Sequence, residues 1–105
     1  MPFVKALPKS DLKDNSCKAV TLEGKRIGVF HINGLYLAID DLCTHDEASL
    51  CDGGMLEHEG KLIVECPWHG AQFDLKTGKA LTLPAVKPVK TYAVRVEGDT
   101  LEVEI

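Results

Sequence analysis

No apolar run in this chain approaches the roughly 20 residues needed to span a bilayer. The opening residues, Met1-Pro2-Phe3-Val4-Lys5, lack the charged-then-apolar order of a signal peptide. The expected setting is therefore the cytoplasm, with no membrane contact. An excess of positive charge is missing too. The net charge of −4 disfavours nucleic acids and acidic membrane surfaces as partners. No long 3.6-residue periodicity appears, and neither does a linker, a repeat or a low-complexity tract. The 105 residues read as one domain over 1–105. A chain of this size buries roughly 60–70% of the surface its unfolded form exposes, so a metal clamp would help it without being required.

Strand signals fill the space left by helix. The pattern predicts strands over 3–7, 17–22, 26–32, 35–39, 55–57, 62–65, 72–74, 91–96 and 101–105. Asn33-Gly34 is a strong hairpin signal, because both residues accept the positive φ of a type I′ turn. Further turns are expected at Glu23-Gly24, around His58-Glu59-Gly60, at Lys76-Thr77-Gly78 and at Glu97-Gly98-Asp99. The fold class expected is all-β, a meander closing into a small antiparallel sandwich.

Four cysteines and four histidines carry unequal weight. Cys43-Thr44-His45 and Cys66-Pro67-Trp68-His69 each follow a predicted strand and sit among turn formers. If 55–57 and 62–65 form a hairpin, its open end brings the segment after His45 close to Cys66. Two loops at one end of a sheet could then grip one metal centre with two thiolates and two imidazoles. Zinc suits such a donor set, but zinc sites usually pair like ligands, and the mixed spacing favours iron–sulfur. Cys17 and Cys51 have no histidine at ligand spacing. In a reducing compartment cysteines serve metals more often than disulfides, and these two read as small buried hydrophobes. His31 alternates with Phe30 and Ile32 and is expected to face away from the core. His58 lies on an acidic turn.

The two motifs resemble those of the Rieske [2Fe–2S] family, in which two histidines replace two cysteines on one iron. The continuation Gly70-Ala71-Gln72-Phe73-Asp74, then Thr77-Gly78 and Leu83-Pro84-Ala85, is similar as well. The likeness runs over essentially the whole chain. It is strongest to the small Rieske-type ferredoxins of bacterial ring-hydroxylating dioxygenase systems. It implies a Rieske fold with two cluster-binding loops at one end and one [2Fe–2S] cluster. Cys43 and Cys66 would hold the inner iron, His45 and His69 the outer, redox-active one. The implied role is a monomeric one-electron carrier, not itself an enzyme. Its transient partners would be a flavin- or iron–sulfur-containing reductase and a terminal oxygenase. Small nitrite reductase subunits and a Cys₂His₂ zinc module are the alternatives.

Departures from the pattern narrow the subtype. High-potential members join an extra cysteine in each loop as a disulfide; here Ala48 and Trp68 stand there. They also place serine and tyrosine hydroxyls against the cluster sulfurs, where this chain has Ala71 and Phe73. The implied potential lies near the low end of the Rieske range, roughly −150 mV. The stretch between His45 and Cys66 is a few residues longer than usual. Charge is uneven as well: from Asp40 to Glu65 the chain sums to −7 and elsewhere to +3. That segment reads as a solvated acidic edge or as a docking surface for a basic partner.

Overall fold

A computed structural model describes residues 2–42, 49–68, 70–82 and 87–105. Its strands, in chain order, are β1 (Phe3–Pro8), β2 (Ser16–Leu22), β3 (Lys25–Ile32), β4 (Leu35–Asp40) and β5 (Gly54–His58). They continue with β6 (Lys61–Glu65), β7 (Gln72–Asp74), β8 (Thr91–Tyr92), β9 (Val94–Glu97) and β10 (Thr100–Glu104). Among the described residues the helical turns are short 3₁₀ segments, Lys9–Asp11 and Leu50–Asp52. No helix among them is long and apolar enough to cross a membrane.

All pairings are antiparallel, and the strands form three sheets, ordered β1-β10-β9, β2-β3-β4-β8 and β5-β6-β7. The Asn33-Gly34 turn joins β3 to β4 as expected, with φ of 52° and 74° at its two residues. Glu59-Gly60 turns β5 into β6 in the same way, with φ of 51° and 79°.

The sheet β2-β3-β4-β8 is the middle layer. One face packs Phe30, Ile32 and Ile39 against Leu62, Val64 and Phe73 of the β5-β6-β7 sheet. The other packs Ile27, Val29 and Ala38 against Leu7, Leu101 and Val103 of the β1-β10-β9 sheet. Strand β3 is therefore buried on both faces, and its inner run Ile27-Gly28-Val29-Phe30 lacks any solvent-facing position.

Three expectations change. The strand expected over 91–96 is two strands in different sheets: Thr91 and Tyr92 pair with β4, then the chain crosses at Ala93 and pairs with β10. The order is not a pure meander, because β1 pairs with β10 at the far end of the chain. His31 does not face solvent. Its side chain is 16% exposed, its ring stacks on Tyr36 with centroids 4.2 Å apart, and Nδ1 lies 3.0 Å from the Leu12 carbonyl oxygen. Two-period alternation was correct, but the second face of β3 is covered by another layer.

Candidate metal centre

Strand β6 delivers Cys66, which is 2% exposed and packs in the core cluster with Val64, Ala71 and Phe73. Its backbone closes a tight loop. The Cys66 N–H donates to the Ala71 carbonyl at 2.7 Å, and the Gly70 N–H donates back to the Cys66 carbonyl at 3.2 Å. Gly70, at φ 72°, takes the left-handed conformation this closure needs. Cys66 is the free cysteine among the described residues. The remaining expected ligands, Cys43, His45 and His69, lie outside the described residues, as do Ala48, Leu83, Pro84 and Ala85.

The base of the first loop is described on both sides. Leu42 and Ser49 form an isolated antiparallel bridge. Between β4 and that bridge stands Asp41, fully buried. One carboxylate oxygen accepts from Arg26 Nε at 2.8 Å and from the Ser49 hydroxyl at 2.6 Å. The other accepts from the Cys51 N–H at 2.8 Å, while the Leu50 N–H donates to the Asp41 main-chain carbonyl at 3.3 Å. A buried carboxylate is tolerable only when paired and hydrogen-bonded in this way. Asp41 thus ties the incoming and outgoing arms of the loop to β3. Sequence reasoning had counted it among surface acids, since no spacing rule marks a carboxylate that will be covered.

A second tie is covalent. Cys17 of β2 and Cys51 are joined by a disulfide, with Cα atoms 5.5 Å apart. The reading of both as unpaired small hydrophobes is corrected in that respect, although Cys17 does pack against the core. The cause is topological: β2 is the edge of the middle sheet beside the Leu50–Asp52 turn, 34 residues away in sequence. Gly28 makes room for both ties. A Cβ there would meet Asp41 Oδ1 at 3.2 Å and Cys17 Sγ at 3.5 Å.

The expected convergence of the two loops holds at their described ends. Gly54 pairs with Glu65, and a Cβ on Gly53 would lie 1.8 Å from the Glu65 carbonyl oxygen. The chain leaving the first loop therefore runs directly against the residue before Cys66. Leu42 is 45% exposed and Trp68 is 63% exposed. Each stands one residue before an expected ligand. Ala71 and Phe73 are fully buried, so the positions that carry hydroxyls in high-potential members are apolar core here.

The acidic run is less of a surface than its sequence suggests. Asp41 is internal, and Asp40 accepts the Tyr92 hydroxyl at 2.6 Å. Burial, then Asp40 itself, raises the Tyr92 phenol well above its ordinary pKa, which keeps it a donor. Glu57 is held by Asn33 and Glu65 by Gln72. His58 sits exposed on its turn, 3.8 Å from Glu59, as expected.

A Rieske [2Fe-2S] domain profile matches residues 3–93. The chain belongs to the Rieske [2Fe–2S] family. Its cofactor is a Rieske-type [2Fe–2S] cluster, and the buried free thiol of Cys66 beside a closed second loop base fits that group. The ferredoxin component of the naphthalene 1,2-dioxygenase system of Pseudomonas putida is 40% identical over 95 residues, covering 90% of this chain and 88% of the relative. The solved ferredoxin of carbazole 1,9a-dioxygenase from Nocardioides aromaticivorans IC177 is 34% identical, with a TM-score of 0.86 over 98% of this chain and 97% of that one. A ferredoxin solved in complex with the reduced oxygenase of carbazole 1,9a-dioxygenase is 28% identical, with a TM-score of 0.83 over 96% of this chain and 91% of that one. A nitrite reductase small subunit from Mycobacterium tuberculosis, 23% identical at a TM-score of 0.88 over 97% of this chain and 93% of that one, shares the fold alone.

Proposed function

We propose that this chain is a one-electron carrier that takes electrons from a flavin- or iron–sulfur-containing reductase and passes them to the terminal oxygenase of a ring-hydroxylating dioxygenase system. The observation that carries this reading is the buried, unpaired thiol of Cys66, held at the end of β6 where the outgoing arm of the first loop packs against Glu65. In this role Cys43 and Cys66 hold one iron, and His45 and His69 hold the other. When bound, the cluster supplies a single-electron couple, neutral when oxidised and −1 when reduced.

The protein's own residues do the rest. Asp41 fixes the arms of the first loop, and the Cys66–Ala71 main-chain bond fixes the second. Ala71 and Phe73 surround Cys66 with hydrocarbon instead of donors, which leaves the reduced charge less stabilised and the potential low. Trp68 and Leu42 offer exposed apolar surface next to the ligand positions. The carrier is not itself an enzyme, and it works as a monomer in the cytoplasm.

Metal and acid-labile sulfide analysis tests the reading. Two irons and two sulfides per chain are expected, and paramagnetic resonance of the reduced protein should report nitrogen ligation. One zinc without sulfide overturns the carrier in favour of a zinc module.

A further inference from the structure

Two of the four cysteines have no place in the expected ligand set, and the fold brings them together. Cys17 lies on β2, the edge strand of the middle sheet, and Cys51 lies in the 3₁₀ turn by which the chain leaves the first cluster loop. Both are only partly buried, so a thiol from solution can reach the bridge between them. Bridges open to such attack are the exchangeable ones.

Cys51 is held at two points that answer to different chemistry. Its N–H donates to the buried Asp41 carboxylate at 2.8 Å, a bond indifferent to thiol redox state. Its sulfur is bonded to Cys17, and a dithiol can open that bond. Leu50, the residue before it, is buried in the same core cluster as Cys66, and Cys17 packs against that cluster. Gly53, two residues after it, runs so close to Glu65 that a Cβ would lie 1.8 Å from the Glu65 carbonyl oxygen. The bridge therefore fastens β2 to the segment where the arm leaving the first loop meets the residue before Cys66. With the bridge open, that segment rests on the Asp41 bonds and on packing.

We propose that Cys17 and Cys51 form a reversible thiol–disulfide site that sets how firmly the first loop holds the [2Fe–2S] cluster. The co-reactant is a dithiol. One of its thiolates attacks a sulfur of the bridge, giving a mixed disulfide and freeing the other sulfur; its second thiol then displaces the mixed disulfide. In sum the bridge gains two electrons and two protons and becomes two thiols, while the dithiol becomes a disulfide. The reverse exchange closes it. No electron passes to or from the cluster in either direction, so the site answers to thiol–disulfide poise and not to the one-electron traffic of the carrier. An oxidising poise fastens the loop, and a reducing one loosens it. The inference concerns cluster retention and stands whichever proteins the carrier serves.

The test holds the holoprotein and its Cys17→Ser/Cys51→Ser variant in dithiothreitol buffers, then in glutathione buffers, each at a series of reduced-to-oxidised ratios. Iodoacetamide labelling with peptide mapping reads the state of the two sulfurs. Loss of visible absorption under a chelator reads cluster retention. The variant has no bridge to open, so it corrects for any direct effect of the buffer on the cluster. At oxidising ratios neither Cys17 nor Cys51 should label, and the wild type should lose its cluster at least about threefold more slowly than the variant. At reducing ratios both should label while the cluster is still bound, and the two rates should converge. If the double variant assembles no cluster, Cys17→Ala takes its place. Labelling of both cysteines at oxidising ratios overturns the proposal, and so does a bridge that stays closed at every ratio until the cluster is gone. Rates that agree within about twofold at every ratio overturn it as well.

Discussion

Severing the disulfide between Cys17 and Cys51 should cost this protein a large share of its stability. The bridge joins residues 34 apart in sequence, from the edge strand of the middle sheet to the turn that leaves the first cluster loop. Chain-entropy arguments assign a closed loop of that length about 3–4 kcal/mol at 25 °C, mostly by restricting the unfolded chain. In the Cys17→Ser/Cys51→Ser variant the Asp41 hydrogen bonds remain, so the native geometry should persist while the unfolded ensemble expands. At about 4–8 °C per kcal/mol for a domain near this size, the apparent unfolding midpoint should fall by about 15–25 °C. Cluster loss makes unfolding irreversible, so midpoints must be compared by far-ultraviolet dichroism at one scan rate. The oxidised wild type, the dithiothreitol-treated wild type and the double variant form the set. The last two should coincide, well below the first. Alkylation of the denatured, non-reduced chain should find two fewer reactive thiols than after reduction. Equal midpoints for all three would refute the reasoning, and four reactive thiols in the untreated protein would remove its premise. A reducing cytoplasm opposes such a bridge, so the stabilisation applies to the oxidised chain.

Two further outcomes follow from the loop bases. Asp41→Ala strands the Arg26 Nε, the Ser49 hydroxyl and the Cys51 N–H, at a cost of about 3 kcal/mol; visible absorption in the presence of a chelator should decay several-fold faster than in the wild type, with Asp41→Asn intermediate. A redox titration should place the midpoint near the low end of the Rieske range, roughly −150 mV, and Ala71→Ser, which adds a hydroxyl at a fully buried position beside Cys66, should raise it; a wild-type value near the top of the range contradicts the apolar-shell argument.

What could be read in advance was whatever depends on local rules. Alternation and turn chemistry located β1 to β7 within about two residues, because hairpins such as 25–40 and 54–65 are set by neighbours in sequence. The hairpin also brought Gly53 against Glu65, which is why the convergence of the two loops was visible beforehand. The Cys/His motifs were legible through their spacing. Features that depend on a distant segment were not. The break at Ala93 exists because Thr91 and Tyr92 find β4 while Val94 onward finds β10, and a continuous alternating run gives no sign of that crossing.

The Cys17–Cys51 bridge was set aside because a reducing compartment disfavours disulfides, and it was invisible because its partners lie 34 residues apart. A related cause explains the misplaced His31 and the hidden Asp41, both judged on the assumption of a sheet with one wet face. The middle sheet has none over its inner length: β5-β6-β7 covers one side and β1-β10-β9 the other. Burial on both faces turns a strand neighbour such as Asp41 from a solvated acid into an internal anchor, and it makes Gly28 the small residue that admits its carboxylate beside the Cys17 sulfur. The surroundings of Cys66 and of the first loop base thus depend on side chains whose positions come from layer stacking, whereas the expected ligands Cys43, His45, Cys66 and His69 are read from spacing. For a Rieske carrier, the identity of the cofactor is a local property of the chain, and its tuning is a property of the fold.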